Sequence, residues 1–361
     1  MTPTFREELG ALSNDLRYLL AFAVPLLGAA ALTPLAARMA HRTGSLDRPK
    51  DDRFHSTATP YLGGLAVAGG LLLASLFVTS ARAQLAVILL GAAAVGALGL
   101  IDDIRGVGPL VKVAVEAALG VTLWLVGVRA GLFDNAALDL VLTVAWVIVV
   151  VNAMNVLDNM DGVAAGVAAV SALGFAAIAA SRGDYLVASL ALAVAGGCLG
   201  FLPYNFPPAR IFLGDTGSLL VGFLLASLGL KLDLVGPTNL GRAVVPALAL
   251  AVPLFDLILV TIARWSAGRP IYVGGVDHSA HRLHAKGLHP WAIALLAYAA
   301  QASCSILAFV VAGATDGVAW VAFGLALPVA VVFLVLLLRV EVEAAVGAPT
   351  GAPARLDSPT P

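Results

Sequence analysis

Residues 84–103 read QLAVILLGAAAVGALGLIDD, an uncharged run from 84 to 101 that ends on two adjacent carboxylates, Asp102 and Asp103. Eighteen or more uncharged, mostly apolar residues make a transmembrane helix candidate. The small residues Gly91, Gly96 and Gly99 within it suit close contact between helices in lipid. The ending is the unusual part. Two neighbouring carboxylates at a membrane boundary repel each other, burial raises that cost, and a cation is the usual remedy.

The rest of the chain repeats the pattern. Of 361 residues, 60% are hydrophobic and 12% charged, where a soluble domain carries about 25% charged. Mean hydropathy is +0.96. That excess excludes a soluble enzyme, a nucleic-acid binder and a disordered scaffold. Apolar runs long enough to cross a bilayer sit at 17–40, 61–81, 84–101, 109–128, 138–157, 163–181, 184–204, 217–235, 242–264, 291–313 and 318–339. The expected fold is an all-α integral membrane protein of about eleven transmembrane helices. Residues 1–16 read as a polar N-terminal segment, 17–345 as one multi-span domain and 346–361 as a disordered tail. Glu7, Glu8 and Asp15 are the wrong flank for a cleaved signal peptide, so the first run is expected to be a retained span. Cys198 and Cys304 lie inside apolar runs and imply no disulfide. Two thirds of the 21 Lys and Arg fall in the loops after the odd-numbered spans and in the C-terminus. The bias puts those loops in the cytoplasm and the N-terminus outside.

The polar clusters fall on that same face. They are Asp47…Arg53-Phe-His55…Gly63-Gly64, Asp102-Asp103, Asn152…Asn155…Asp158…Asp161-Gly162, Asn205…Arg210…Gly214-Asp215-Thr-Gly-Ser218, and Asp277-His278-Ser-Ala-His281-Arg282-Leu-His284. Loops on the other face, such as Ser80-Ala-Arg-Ala, are bland. One site assembled from five loops explains the asymmetry. Asn152, Asn155, Asp158 and Asp161 recur every three residues at the end of the fifth run, which sweeps them around one side of a helix end. They would line a polar cavity at the membrane edge, where ionisable residues are functional candidates. Asp215, between glycines that permit close approach, is the best single metal ligand; Thr216 or Ser218 would cap the helix it opens, whose amides would favour a phosphate. Magnesium takes such oxygen ligands and bridges carboxylates to phosphates. The histidine cluster has no paired Cys and no H-E-x-x-H, so phosphate contact is favoured over zinc.

These motifs, in this order, resemble the polyprenyl-phosphate N-acetylhexosamine-1-phosphate transferases (MraY/WecA-like, glycosyltransferase family 4), and the resemblance runs from about Asp47 to His284. It implies a multi-pass enzyme of the bacterial plasma membrane with its active site in the cytoplasm. The reaction would pass a HexNAc-1-phosphate, GlcNAc-1-phosphate foremost, from a UDP-N-acetylhexosamine to polyprenyl phosphate and release UMP, with Mg²⁺ (or Mn²⁺ in its place). The lipid bilayer, both substrates and a second copy of the chain are the expected partners; nucleic acid is not.

Carried over by position, Asp102, Asp103, Asp158, Asp161 and His281 become the catalytic candidates. Lys112, Asn152, Asn155, Asn205, His278, Arg282, Arg53 and His55 become the substrate contacts, and Asp215 with Asn155 the metal ligands. Asp256 matches another recurrent acidic position. Asp102 or Asp103 is expected to orient the acceptor phosphate or serve as its base, with an Asp nucleophile as the other option. His281 and Arg282 would steady the pyrophosphate. Two departures stand out: the histidine loop lacks the common His-x-His-His, and Asp52-Arg53 align where Arg-Lys is usual. A membrane prenyltransferase would space its Asp residues by four, an intramembrane aspartyl protease would need an Asp deep in a span, and a transporter would show repeated halves. None of these is seen.

Overall fold

The structure is a computed structural model that describes residues 14–47, 58–75, 83–232, 234, 239–272, 274–314 and 316–342. Arg53, His55 and the tail 346–361 lie outside the described residues, as do residues 1–13. The chain forms helices α1 (Asn14–Thr43), α2 (Gly63–Ser75), α3 (Ala83–Arg105), α4 (Pro109–Leu125), α5 (Ala136–Leu157), α6 (Val163–Ser181) and α7 (Tyr185–Asn205). There follow α8 (Gly214–Lys231), α9 (Asn239–Ala249), α10 (Ala251–Ser266), the short α11 (Ser279–Ala285), α12 (Pro290–Ala312) and α13 (Asp316–Leu338). The described β-structure is a two-residue antiparallel pair, β1 (Leu46–Asp47) with β2 (Thr59–Pro60).

Helix ends follow local chemistry. Asn135 accepts the Leu138 amide and Asp184 the Val187 amide, each satisfying a first-turn N–H of α5 or α7. Pro109 and Pro290 open α4 and α12, where the missing N–H costs nothing.

The middle of the molecule is α8. Every residue from Thr216 to Leu228 is buried, packed against α2, α3, α5, α6 and α7. Glycines let it come close. A Cβ on Gly99 of α3 would sit 2.3 Å from the Asp215 carbonyl oxygen, and one on Gly64 of α2 would sit 2.2 Å from the Gly217 nitrogen. At the rim, α13 exposes Trp320, Leu325, Val329 and Leu336, a surface suited to lipid.

Every expected apolar run holds a helix, but the spans are less uniform than the hydropathy pattern suggested. Among the described residues seven helices are long and apolar enough to cross a bilayer. The described part of α2 has 13 residues, α4 has 17, and α8 has 18 with Asp215 and Lys231 at its ends. The run expected as one span at 242–264 is a pair, α9 and α10, bent by 84°. Gln301 of α12 closes the break: its Nε2 donates to the Leu248 and Ala249 carbonyls (3.2 and 2.9 Å), and its Oε1 accepts the Val252 amide at 3.0 Å. Fully buried, it satisfies backbone groups that lipid would leave unpaired.

Candidate active site

The site forms where the end of α3, the start of α4, the end of α5 and the start of α8 meet. At the end of α3, Asp103 turns its carboxylate onto the first turn of α8. Its Oδ1 accepts the Asp215 amide (2.9 Å), and its Oδ2 accepts the Thr216 amide (3.0 Å) and hydroxyl (2.7 Å). An anion at a helix N-terminus satisfies orphan N–H groups and meets the positive end of the dipole. Capping by Thr216 or Ser218 was expected; instead the cap comes from a residue 112 positions away. The amides expected to meet a phosphate are therefore partly taken by Asp103.

Asp215 projects from that turn. Its Oδ2 accepts from Lys112 Nζ at 3.0 Å and its Oδ1 from Asn155 Nδ2 at 2.9 Å. Lys112 also donates to Asp102 Oδ2 at 2.7 Å, while Asp102 Oδ1 takes the Val107 amide. Asn155 also reaches Ser218 Oγ at 3.1 Å, so its amide nitrogen steadies Asp215.

A cleft of about 280 Å³ opens beside these groups, lined in part by Asp103, Asp158, Asn159, Asp161 and Asp215, with Asp47 and Tyr61 from the first motif. Asp158 lies just past the end of α5. Burial first, then the carboxylates of Asp215, Asp103 and Asp161, push its pKa up to about 8, with the Gly214 backbone opposing.

The turn carrying these acids is braced from outside. Asn205 is buried; its Oδ1 accepts the Gly162 amide (3.1 Å) and its Nδ2 donates to the Ile211 carbonyl (3.0 Å). Gly162 has φ +74°, which favours glycine. Tyr298 donates to its carbonyl at 2.6 Å, and Asp161 accepts the Ala209 amide at 2.8 Å. Asn205 thus shapes the wall as well as lining the cleft.

The histidine loop docks one step further out. Asp256 of α10 is fully buried and accepts the Ser279 amide (2.7 Å) and His278 Nδ1 (3.0 Å). Asn159 reaches the same carboxylate at 3.5 Å, linking the loop to the acidic turn. His281 packs tilted on His278, with ring centroids 5.5 Å apart. Burial, then His278, push its pKa down to about 4. Burial pushes Asp277 up, but hydrogen bonds from Arg264 and Arg269 outweigh it and hold its pKa below the ordinary range.

Two expected substrate contacts are engaged elsewhere. Arg282 is buried, with Nε on the Asp277 carbonyl and Nη1 at 2.9 Å from the carbonyls of Leu337 and Val340, so it caps the end of α13. Asn152 points at α4, donating to Glu116 Oε2 at 2.6 Å. Glu116 and Asn159 were not anticipated. Glu116 sits in an apolar helical pattern, and only its spacing of four from Lys112 sets it apart.

The donor set fits a hard divalent cation. Oxygen ligands crowd one cleft, and their mutual repulsion, visible at Asp158, is what such an ion relieves. Among the described residues no three acidic, His or Cys side chains close on one point. Magnesium needs none, because it commonly takes one or two carboxylates and completes its shell with phosphate and water.

Known proteins place the chain. A family model described as glycosyl transferase family 4 matches residues 85–233, which hold most of these side chains. The chain is 35% identical over 312 residues to a probable undecaprenyl-phosphate N-acetylglucosaminyl 1-phosphate transferase of Bacillus subtilis, covering 83% of this chain and 86% of that one. It is 34% identical over 285 residues to the decaprenyl-phosphate N-acetylglucosaminephosphotransferase of Mycobacterium tuberculosis (68% and 70%). It is 33% identical over 242 residues to a phospho-N-acetylmuramoyl-pentapeptide-transferase of Heliobacterium modesticaldum (59% and 73%). With its apolar helices and its carboxylate-lined cleft, the chain belongs to glycosyl transferase family 4, the polyprenyl-phosphate N-acetylhexosamine-1-phosphate transferases.

Proposed function

We propose that the chain transfers N-acetylglucosamine-1-phosphate from its UDP derivative to a polyprenyl phosphate, releasing UMP, at the cytoplasmic face of the plasma membrane and with Mg²⁺. The observation that carries this reading is the position of Asp215: it opens the central helix α8 and faces a cleft shared with Asp103, Asp158 and Asp161. The likeness to N-acetylglucosamine-1-phosphate transferases across most of both chains supports the choice of sugar. A lipid phosphate held at the membrane edge reaches such a cleft without leaving the bilayer.

An oxygen of the lipid phosphate attacks the sugar-bearing phosphorus of the donor. The new P–O bond forms as the bond to the UMP oxygen breaks, and UMP carries away that electron pair. Phosphoryl transfer of this kind depends mostly on positioning and charge stabilisation. The acceptor phosphate has its second pKa near about 6 and is largely a dianion at neutral pH, so no strong base is needed. A bound Mg²⁺ supplies neutralisation of phosphate charge. Asp215 and the acidic turn would hold it, and Asn155 keeps Asp215 aimed. Asp102 and Asp103 already accept from Lys112, Val107, Asp215 and Thr216. They act better as supports of α4 and α8 than as a base or nucleophile. His278, bonded to Asp256, with His281 packed on its ring, holds the histidine loop against the acidic turn through Asn159.

The test is direct. Purified chain in lipid is incubated with polyprenyl phosphate, Mg²⁺ and, in separate reactions, UDP-GlcNAc, UDP-GalNAc and a UDP-muramoyl peptide, each labelled in the sugar and uridine. The reading expects sugar label in the lipid fraction from UDP-GlcNAc and uridine label in free UMP. Transfer from the muramoyl donor alone, or UDP rather than UMP as product, would contradict it.

A further inference from the structure

Glu116 is a buried acid that the mechanism leaves unused. It lies in α4, fully buried, four residues after Lys112 and so on the same helix face. One carboxylate oxygen, Oε2, accepts from Asn152 Nδ2 at 2.6 Å, and Asn152 is itself fixed by a second bond to the Ile148 carbonyl at 2.9 Å. The other oxygen, Oε1, is buried with no hydrogen-bond partner. An acceptor left unmade in a buried site is costly, so its presence asks for a donor.

The nearby donor is Lys112. Its ammonium sits between Asp102 and Asp215, taking the Asp215 oxygen at 3.0 Å. A divalent cation held by Asp215 claims the same carboxylate. Two cations on one carboxylate repel, so the ammonium loses Asp215 and keeps Asp102 alone, and a second anion on its own helix face can take the place of Asp215. A lysine side chain is a flexible four-carbon stem that can swing through one helical turn. The ammonium already acts electrostatically on Glu116 from where it stands.

We propose that Glu116 is a positioning residue that receives Lys112: as a divalent cation takes Asp215, the Lys112 ammonium turns along α4 and docks on Glu116 Oε1. The inference rests on the cation reading of the cleft. Lys112 then serves as an internal counter-charge that keeps Asp102 and Asp215 together, and Glu116 gives it a place to go. Asn152, expected to meet substrate, holds that carboxylate ready.

The experiment uses the full chain in lipid nanodiscs, with Mn²⁺ as the probe and its free concentration read by electron paramagnetic resonance. Glu116→Ala should weaken Mn²⁺ binding by about ten- to a hundredfold, the size of a charge-assisted hydrogen bond. Lys112→Met, which lacks the competing ammonium, should bind Mn²⁺ more tightly than the wild type, and in that background Glu116→Ala should change the affinity by less than about twofold. An equal loss in both backgrounds, or no loss in either, overturns the proposal while leaving the cation site standing. Should Glu116→Ala fail to fold, Glu116→Gln keeps an acceptor for Asn152 and should show a smaller loss that again depends on Lys112. A wild-type chain that binds no Mn²⁺ removes the cation reading and this proposal with it.

Discussion

Asp103 shows how one side chain at the end of a helix can hold the start of another. Three donors from α8 converge on its carboxylate, and no residue at the start of α8 caps the helix for it. Asp103→Ala should lower stability by about 2 kcal/mol, the upper range for a lost N-cap, and thermal unfolding in detergent would show it. An unchanged midpoint would argue against the capping role. His281 sets a pH limit. Its neighbours His278, Asp256, His284 and Asp277, with burial ahead of them all, leave its pKa at about 4 against an ordinary 6.5. Between those values the unfolded chain binds a proton that the folded chain refuses, so stability is complete above pH 6.5 and falls as pH drops toward 4. The gap is worth up to about 3 kcal/mol. His281→Phe should flatten the pH dependence of the midpoint in that window; an unaltered slope would assign it to other groups.

At the scale of elements, the break between α9 and α10 is the feature most exposed to a single change. Gln301→Leu keeps the apolar volume but strands the Leu248 and Ala249 carbonyls and the Val252 amide. Each unpaired buried group costs about 1–3 kcal/mol, so the variant should lose several kcal/mol, read as a lower midpoint and as new proteolytic cleavage near Leu250. Full stability would mean that the bend satisfies itself. Helix ends are legible where the signal is local: Asn135 and Asp184 cap α5 and α7, and Pro109 and Pro290 open α4 and α12, as their residue types favour. The sequence conceals the bend. Pro246 and Pro253 flank Leu250, but spans tolerate proline, and the residue that makes the break tenable lies about fifty positions away on α12. The cap on α8 is concealed for the same reason: Asp103 is legible as an acidic boundary residue but not as the partner of a turn 112 residues on.

Across the whole molecule, separate helices deliver acidic ends to one cleft, and the order of motifs along the chain was enough to suggest it. Direction was harder to read than membership. Asn152 and Arg282 have the right residue types near the right place, yet one turns to Glu116 and the other to the end of α13. Periodicity places a residue on a helix; packing decides which neighbour it faces. The measurement that bears most directly on a shared cation cleft is anomalous diffraction from crystals of the full chain grown with Mn²⁺ and a UDP-sugar. A single manganese peak about 2.1 Å from an Asp215 carboxylate oxygen, beside the donor diphosphate and absent in Asp215→Asn, is the predicted result. A peak remote from Asp215, or a diphosphate bound outside the cleft of Asp103, Asp158 and Asp161, would contradict it.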